Sequence, residues 1–199
     1  MSSVFVSGLL AGRSALVTGG GSGIGAGLAI RLAEQGARVM LVGRKQEKLD
    51  AVQRQIVAAG GVAATKPCDV RDFARVEEAV AATVAAHGGL DILVNSAAGN
   101  FLAPAATLSA NGFRTVIDID LCGTFNFCRA AFGELSKARG AVVNITATQA
   151  TVRPSCADTG TATHTSPARY SSLSVARPSR RIVASSASSA FASVIVWSV

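Results

Sequence analysis

The sequence predicts a doubly wound parallel α/β sheet that is incomplete on its C-terminal side. Three observations carry that expectation. Short apolar runs alternate with helix-length amphipathic segments from Ser14 to Ile145, the pattern of a parallel sheet covered on both faces. A glycine-rich stretch joins the first apolar run to the first helical one. The alternation then stops near Ala150, leaving residues 151–199 with 12 serines, one leucine, one glycine and no lysine.

Each element has its own local reason. Residues 14–17 read as a first strand around the apolar run Ala15-Leu16-Val17, and Ala26–Gln35 reads as a helix closed by Gly36. Arg38–Gly43 is a second strand. Gln46–Ala59 places Leu49, Val52 and Ile56 at helical spacing before the closing pair Gly60-Gly61. Val62–Thr65 is a short third strand ended by Pro67. Asp72 caps a helix reaching about Ala86. Asp91–Val94 is the fourth strand, Ser109 caps one long helix over about residues 110–137, and Gly140–Ile145 is the fifth strand. Two units follow: a Rossmann-like nucleotide-binding domain over residues 9–150, and a Ser/Ala/Arg-rich tail over 151–199, expected to be poorly ordered because it has few large apolar residues.

Composition excludes several functions. The chain has 199 residues and is 49% hydrophobic, enough for one substantial core. No apolar run approaches the roughly 20 residues of a membrane span, and the N-terminus lacks the basic residue that would open a secretory signal. The net charge of +7 divides unevenly, since residues 1–150 carry 14 basic and 11 acidic side chains while the tail carries five arginines and one aspartate. No basic patch with interleaved aromatics emerges, so nucleic acid is not an expected partner. Cys68, Cys122, Cys128 and Cys156 show neither CxxC pairing nor ligand spacing with His87 or His164, which predicts free thiols and no metal.

The chemistry-bearing residues begin at Thr18-Gly19-Gly20-Gly21-Ser22-Gly23-Ile24-Gly25. A glycine turn between strand and helix lets the backbone approach a pyrophosphate, which the helix N-terminus attracts. Gly19, Gly21, Ser22, Gly23, Ile24 and Gly25 are therefore cofactor-binding candidates; a ligand-free tight turn is the alternative. The second strand ends Val42-Gly43-Arg44-Lys45, with no carboxylate to accept from the two ribose hydroxyls of NAD. Arg44 and Lys45 instead suit a 2′-phosphate and so NADP; a solvated basic turn is the alternative. Asp69, followed by Val70 after the third strand, could accept from an adenine amino group or serve as a cap. Asn95-Ser96-Ala97-Ala98-Gly99 follows the fourth strand at the carboxyl edge. Its small residues leave room for a cofactor, with Asn95, Ala97 and Gly99 as candidates.

Together with Val143-Asn144-Ile145, these segments resemble the short-chain dehydrogenase/reductase family over residues 9–150. Within it, the runs Asn95–Pro104, Thr115–Asp120, Gly123–Asn126 and Asn144–Thr148 resemble the peroxisomal-type 2,4-dienoyl-CoA reductases. Asp120 stands where most members carry Asn, and Ala147 lies near their catalytic Ser. The resemblance implies that Asp120 is catalytic, that Asn100 and Phe101 line the acyl site, and that the reaction is NADPH-dependent reduction of a 2,4-dienoyl-CoA in unsaturated fatty acid β-oxidation; for Asp120 a carboxylate bonded to nearby backbone is the alternative. It implies an acyl-CoA substrate and leaves a homo-oligomer open. A 3-oxoacyl reductase of the same family, or an inactive nucleotide-binding or interaction module, are the alternatives.

The resemblance also implies a lysine some twenty to twenty-four residues beyond Asn144, but the last lysine is Lys137, and Tyr170 is followed four residues later by Ser174. The abrupt change in composition predicts a shift of reading frame near Thr151. Triplets read from the third codon base across Thr163–Tyr170 permit Tyr or His, three residues, then Lys. The resemblance implies a peroxisomal location through a C-terminal address. The chain closes Trp197-Ser198-Val199, which is no such address, and a cytoplasmic location follows if the address is truly absent.

Overall fold

The computed structural model describes residues 8–99, 103, 106–146, 184–185 and 193–198. Five parallel strands carry the fold: β1 (Ser14–Thr18), β2 (Arg38–Gly43), β3 (Val62–Pro67), β4 (Ile92–Asn95) and β5 (Ala141–Thr146), in the spatial order β3-β2-β1-β4-β5. The helices between them are α1 (Gly23–Glu34), α2 (Gln46–Ala58), α3 (Phe73–His87), α4 (Ala110–Ile117) and α5 (Gly123–Ala138). The α/β class and the parallel sheet are those the sequence predicts.

Strand alternation divides the interior into two layers. Leu16 of β1, Met40 and Val42 of β2 and Leu93 of β4 face one way, where Val76, Val80, Phe127, Ala131 and Leu135 of α3 and α5 cover them. Ala15, Val17, Val39, Leu41 and Val94 face the other way, onto Ala29, Ala33, Leu49, Val52 and Ile56 of α1 and α2. Every residue of β1 is buried, which explains the apolar Ala15-Leu16-Val17 at its centre. Phe127 is fully buried on α5, and truncating such a side chain to Ala costs about 3–5 kcal/mol.

Two caps hold as the sequence predicts. The Asp72 side chain accepts from the Arg75 backbone N–H, and the Ser109 side chain accepts from that of Gly112. One expectation is corrected. The helix over residues 110–137 is not uniform: between α4 and α5 the backbone widens into a π-helical turn, Asp118–Cys122. Such turns are uncommon and often sit at functional sites.

The parallel sheet stops at β5. Along its outer edge β7 (Ser193–Ser198) pairs antiparallel, from Ala141↔Ser198 to Thr146↔Ser193, and β6 (Ala184–Ser185) pairs antiparallel with β7. Antiparallel pairing occupies the ladder groups that an edge strand would otherwise expose. The remainder of the tail, with the permitted Tyr and Lys positions, lies outside the described residues.

Strand order reverses between β1 and β4, so the crossovers leaving these two strands diverge. In open parallel sheets such a reversal opens a crevice at the carboxyl ends of the strands. The candidate site occupies it.

Candidate functional site

The glycine segment is shaped by close backbone approach. Gly19 has φ +67°, and a Cβ there would stand 2.8 Å from the Ser96 carbonyl oxygen and 3.0 Å from the Ala97 nitrogen. A Cβ on Gly25 would collide with the Gly19 carbonyl oxygen. Thr18 locks the approach from below: its Oγ1 accepts from the backbone N–H groups of Ser96 and Ala97, each at 3.0 Å. Thr18 is almost fully buried. Sequence reasoning left it out of the site, although its place immediately before the glycines was visible.

α1 opens at Gly23, three residues earlier than the sequence predicts. Its cap residue Ser22 is extended, makes no side-chain cap bond, and is followed by a first turn without a carboxylate. The first N–H groups therefore keep their donor capacity and the helix dipole its positive end. That arrangement suits an anion.

A cavity of about 830 Å³ lies over this turn, within the usual range for small-molecule sites. Gly19, Gly21, Ser22, Gly23, Ile24 and Gly25 line one wall. Arg44, Lys45, Lys48, Asp69 and Val70 also line it, as do Ser96, Ala97 and Ala98. Val116, Ile119, Asp120, Leu121 and Thr124, with Asn144, Ile145 and Thr146 of β5, line a further part. Eleven of the residues singled out from sequence thus share one cavity.

Arg44 forms no ion pair among the described residues, and neither do Lys45 and Lys48. Lys48 was missed; it lies in the first turn of α2, beside Gly21. Asp69 is engaged by Arg71, whose Nη2 donates to Oδ2 at 2.6 Å and Nε to Oδ1 at 3.0 Å. These bonds and the guanidinium charge hold the Asp69 carboxyl below its ordinary range. Val70 is anchored by its carbonyl, which accepts from Asn126 Nδ2 at 2.9 Å. The neighbouring Cys68 thiol is pushed up to about 11, chiefly by burial, with Asp69 and Asp72 adding to the effect.

Asp120 sits in the π-helical turn. Its Oδ1 accepts from the Gly99 backbone N–H at 2.8 Å, and its carbonyl accepts from Thr124 Oγ1 at 2.7 Å. Two of the sequence candidates stand off the cavity. Gly99 does not line the cavity; it supports the wall from behind, where a Cβ would run into Ile119. Asn95 does not line the cavity either. It is 4% exposed, and its Nδ2 donates to Asn144 Oδ1 at 2.9 Å and to Cys128 Sγ at 3.4 Å. β4 and β5 pair with Asn95 opposite Asn144, so the amide nitrogen is spent across the sheet, while Oδ1 is buried without a partner among the described residues. Asn100 and Phe101 lie outside the described residues, as does Ala147.

The donor set fits a dinucleotide. The turn excludes side chains at Gly19 and Gly25, the Ser22 side chain does not cap α1, and the Arg44 guanidinium at the end of β2 has no ion pair among the described residues. The family model for short chain dehydrogenases matches residues 13–162. This chain belongs to that family. As a short chain dehydrogenase it is 43% identical over 157 residues to a peroxisomal 2,4-dienoyl-CoA reductase of Arabidopsis thaliana, covering 74% of the chain and 53% of that protein. It is 42% identical over 151 residues to the Mus musculus protein of the same name, covering 73% and 50%. The chain spans about half the length of these relatives. Among solved structures, a citronellol catabolism dehydrogenase of Pseudomonas aeruginosa matches with TM-score 0.70 and 42% identity over 74% of this chain and 61% of that one. A 3-oxoacyl (acyl-carrier-protein) reductase of Agrobacterium tumefaciens with NADP bound matches with TM-score 0.66 and 32% identity, covering 71% and 55%. Among the described residues no helix is long and apolar enough to cross a membrane.

Proposed function

We propose that this chain is the nucleotide-binding part of an NADP-dependent oxidoreductase that reduces 2,4-dienoyl-CoA. One observation carries the reading: the Asp120 carboxylate lies in the same cavity as the glycine turn and Arg44, so acid–base chemistry and a dinucleotide share one space. The names of the Arabidopsis and mouse relatives support the substrate class, and with it a peroxisomal location. The NADP in the Agrobacterium structure supports the cofactor.

Bound NADPH would supply a hydride to the far end of the conjugated thioester. The protein's part is binding, orientation and proton delivery. The Gly19–Gly25 turn and the α1 N-terminus take the pyrophosphate, Arg44 the 2′-phosphate, and Asp69 the adenine amino group. Asp120 Oδ1 is committed to Gly99. Its Oδ2 is left to orient the water or network that protonates the acyl chain. Leu121, Phe125 and Phe132 stay exposed on and just before α5, a face compatible with self-association.

A second reading is nucleotide binding without turnover. One observation favours it: no lysine follows Lys137. The experiment mixes the purified chain with NADPH and, separately, a 2,4-dienoyl-CoA and a 3-oxoacyl-CoA. Nicotinamide fluorescence reports binding and absorbance reports consumption. Consumption of NADPH with the dienoyl thioester alone supports the first reading. Binding without consumption supports the second. Consumption with the 3-oxoacyl thioester, or no NADPH binding, overturns both.

A further inference from the structure

Asp69 and Arg71 flank Val70 in the turn leaving β3, and Arg71 closes on the carboxylate in three ways. Its backbone N–H donates to Oδ1 at 3.1 Å, its Nε to the same oxygen at 3.0 Å, and its Nη2 to Oδ2 at 2.6 Å. An ionised carboxylate offers about four acceptor positions, two on each oxygen. Oδ1 is therefore filled, and Oδ2 retains one position. A bidentate guanidinium fork fixes the carboxylate plane as well as its charge.

The turn beneath is pinned from two sides. The Cys68 N–H donates to the Gly43 carbonyl at the end of β2 at 2.9 Å, and Asn126 of α5 holds the Val70 carbonyl. Val70 packs against Gly123, where a Cβ would stand 2.5 Å from Val70 Cγ2. The fork thus stands on a fixed platform. Asp69 lines the cavity beside Arg44, whereas Arg71 does not line it. Arg71 is positioned to act through Asp69 and not by contact of its own.

We propose that Arg71 is a positioning residue of the purine subsite: by occupying every other acceptor position it leaves Asp69 Oδ2 with a single one, matched to an exocyclic amino group, so that the cavity selects 6-amino over 6-oxo purine dinucleotides. A 6-oxo purine sets its O6 acceptor against that oxygen, and its donor on that edge, N1–H, lies one ring position away, where a carboxylate held by the fork does not follow it. The guanidinium also offsets a negative charge in a cavity that must admit phosphates. The inference rests on the NADP reading above, and its test separates the two.

The experiment titrates NADPH and its hypoxanthine analogue into the wild-type chain, Arg71→Ala and Arg71→Lys, following nicotinamide fluorescence. The expected wild-type preference for the adenine form is about tenfold, the worth of one hydrogen bond lost to an otherwise solvated acceptor. Arg71→Ala brings the ratio to about twofold or less, and Arg71→Lys, with no fork, falls between. Arg71 is exposed, so the fold survives its removal, and circular dichroism verifies that. An Arg71→Ala ratio equal to the wild-type ratio overturns the proposal while the NADP reading stands. Equal wild-type affinities for the two nucleotides also overturn it. Wild-type protein that binds neither nucleotide overturns the NADP reading and the proposal together.

Discussion

The Gly99 backbone N–H donates to Asp120 Oδ1 at 2.8 Å, tying the loop after β4 to the π-helical turn between α4 and α5. The bond needs an oxygen acceptor at position 120 but not a charge. Asp120→Asn keeps the acceptor and should change stability by less than about 0.5 kcal/mol. Asp120→Ala leaves a half-buried amide unpaired and should lose about 1–2 kcal/mol. Urea denaturation of the two variants tests this. NADPH affinity should follow the same order, because Ser96 and Ala97 in that loop meet the glycine turn through Thr18. Equal stability of the two variants would show that the bond is not made in solution.

The glycines differ in what they tolerate. Gly19→Ala combines a left-handed φ with a Cβ 2.8 Å from the Ser96 carbonyl oxygen, and should cost about 2–4 kcal/mol and NADPH binding with it. Gly23 has φ +55° but nothing within 4 Å of an added Cβ. Gly23→Ala should therefore cost only about 1 kcal/mol, the left-handed penalty alone. Thermal melts and nucleotide titrations on both variants measure the contrast; a Gly23→Ala loss as large as that of Gly19→Ala would contradict the assigned approach to Ser96.

What the sequence made legible was local. The glycine turn, the Asp72 and Ser109 caps and the strand runs each depend on a few neighbouring residues, and each forms within a few residues of its expected place. The π-helical turn was hidden because apolar periodicity continues through residues 110–137 and its partner, Gly99, lies in a distant loop. The cross-sheet bond of Asn95 was hidden for a related reason. Its place at the carboxyl edge of β4 looks like a ligand position, but register sets it opposite Asn144, and only strand pairing turns the carboxamide inward. Arg71 escaped notice because its action runs through Asp69. A charged pair two residues apart in sequence says nothing about fork geometry.

Arg44 should determine the choice between phosphorylated and unphosphorylated cofactor. It lines the cavity and forms no ion pair among the described residues. Arg44→Ala is expected to weaken NADPH binding about 10- to 100-fold, as for loss of one charge-assisted bidentate contact, and to change NADH binding less than about twofold. The wild-type NADPH affinity should fall with salt more steeply than the variant's. Isothermal titration at low and high salt tests both statements. A parallel loss of NADH affinity would place Arg44 at the pyrophosphate or in the fold instead.

His87 gives the fold a pH dependence of predictable sign. It is 3% exposed at the end of α3. Burial is the main cause that lowers its pKa, the Arg38 charge acts in the same direction, and the Val39 and Ala86 backbones oppose them. The unfolded chain takes up a proton near the ordinary histidine value of about 6.5, while the folded chain at that pH still holds His87 neutral. The unfolded state therefore binds more protons, and stability rises with pH across that interval. The contribution is fully present above about pH 6.5 and is lost as pH falls from there through the folded value. Denaturation midpoints should drop as pH falls below about 6.5, ahead of the carboxylate titrations. His87→Gln removes the titrating group, so its midpoint should be lower at neutral pH but nearly flat over the same interval. A variant that keeps the wild-type slope would assign the dependence to another group.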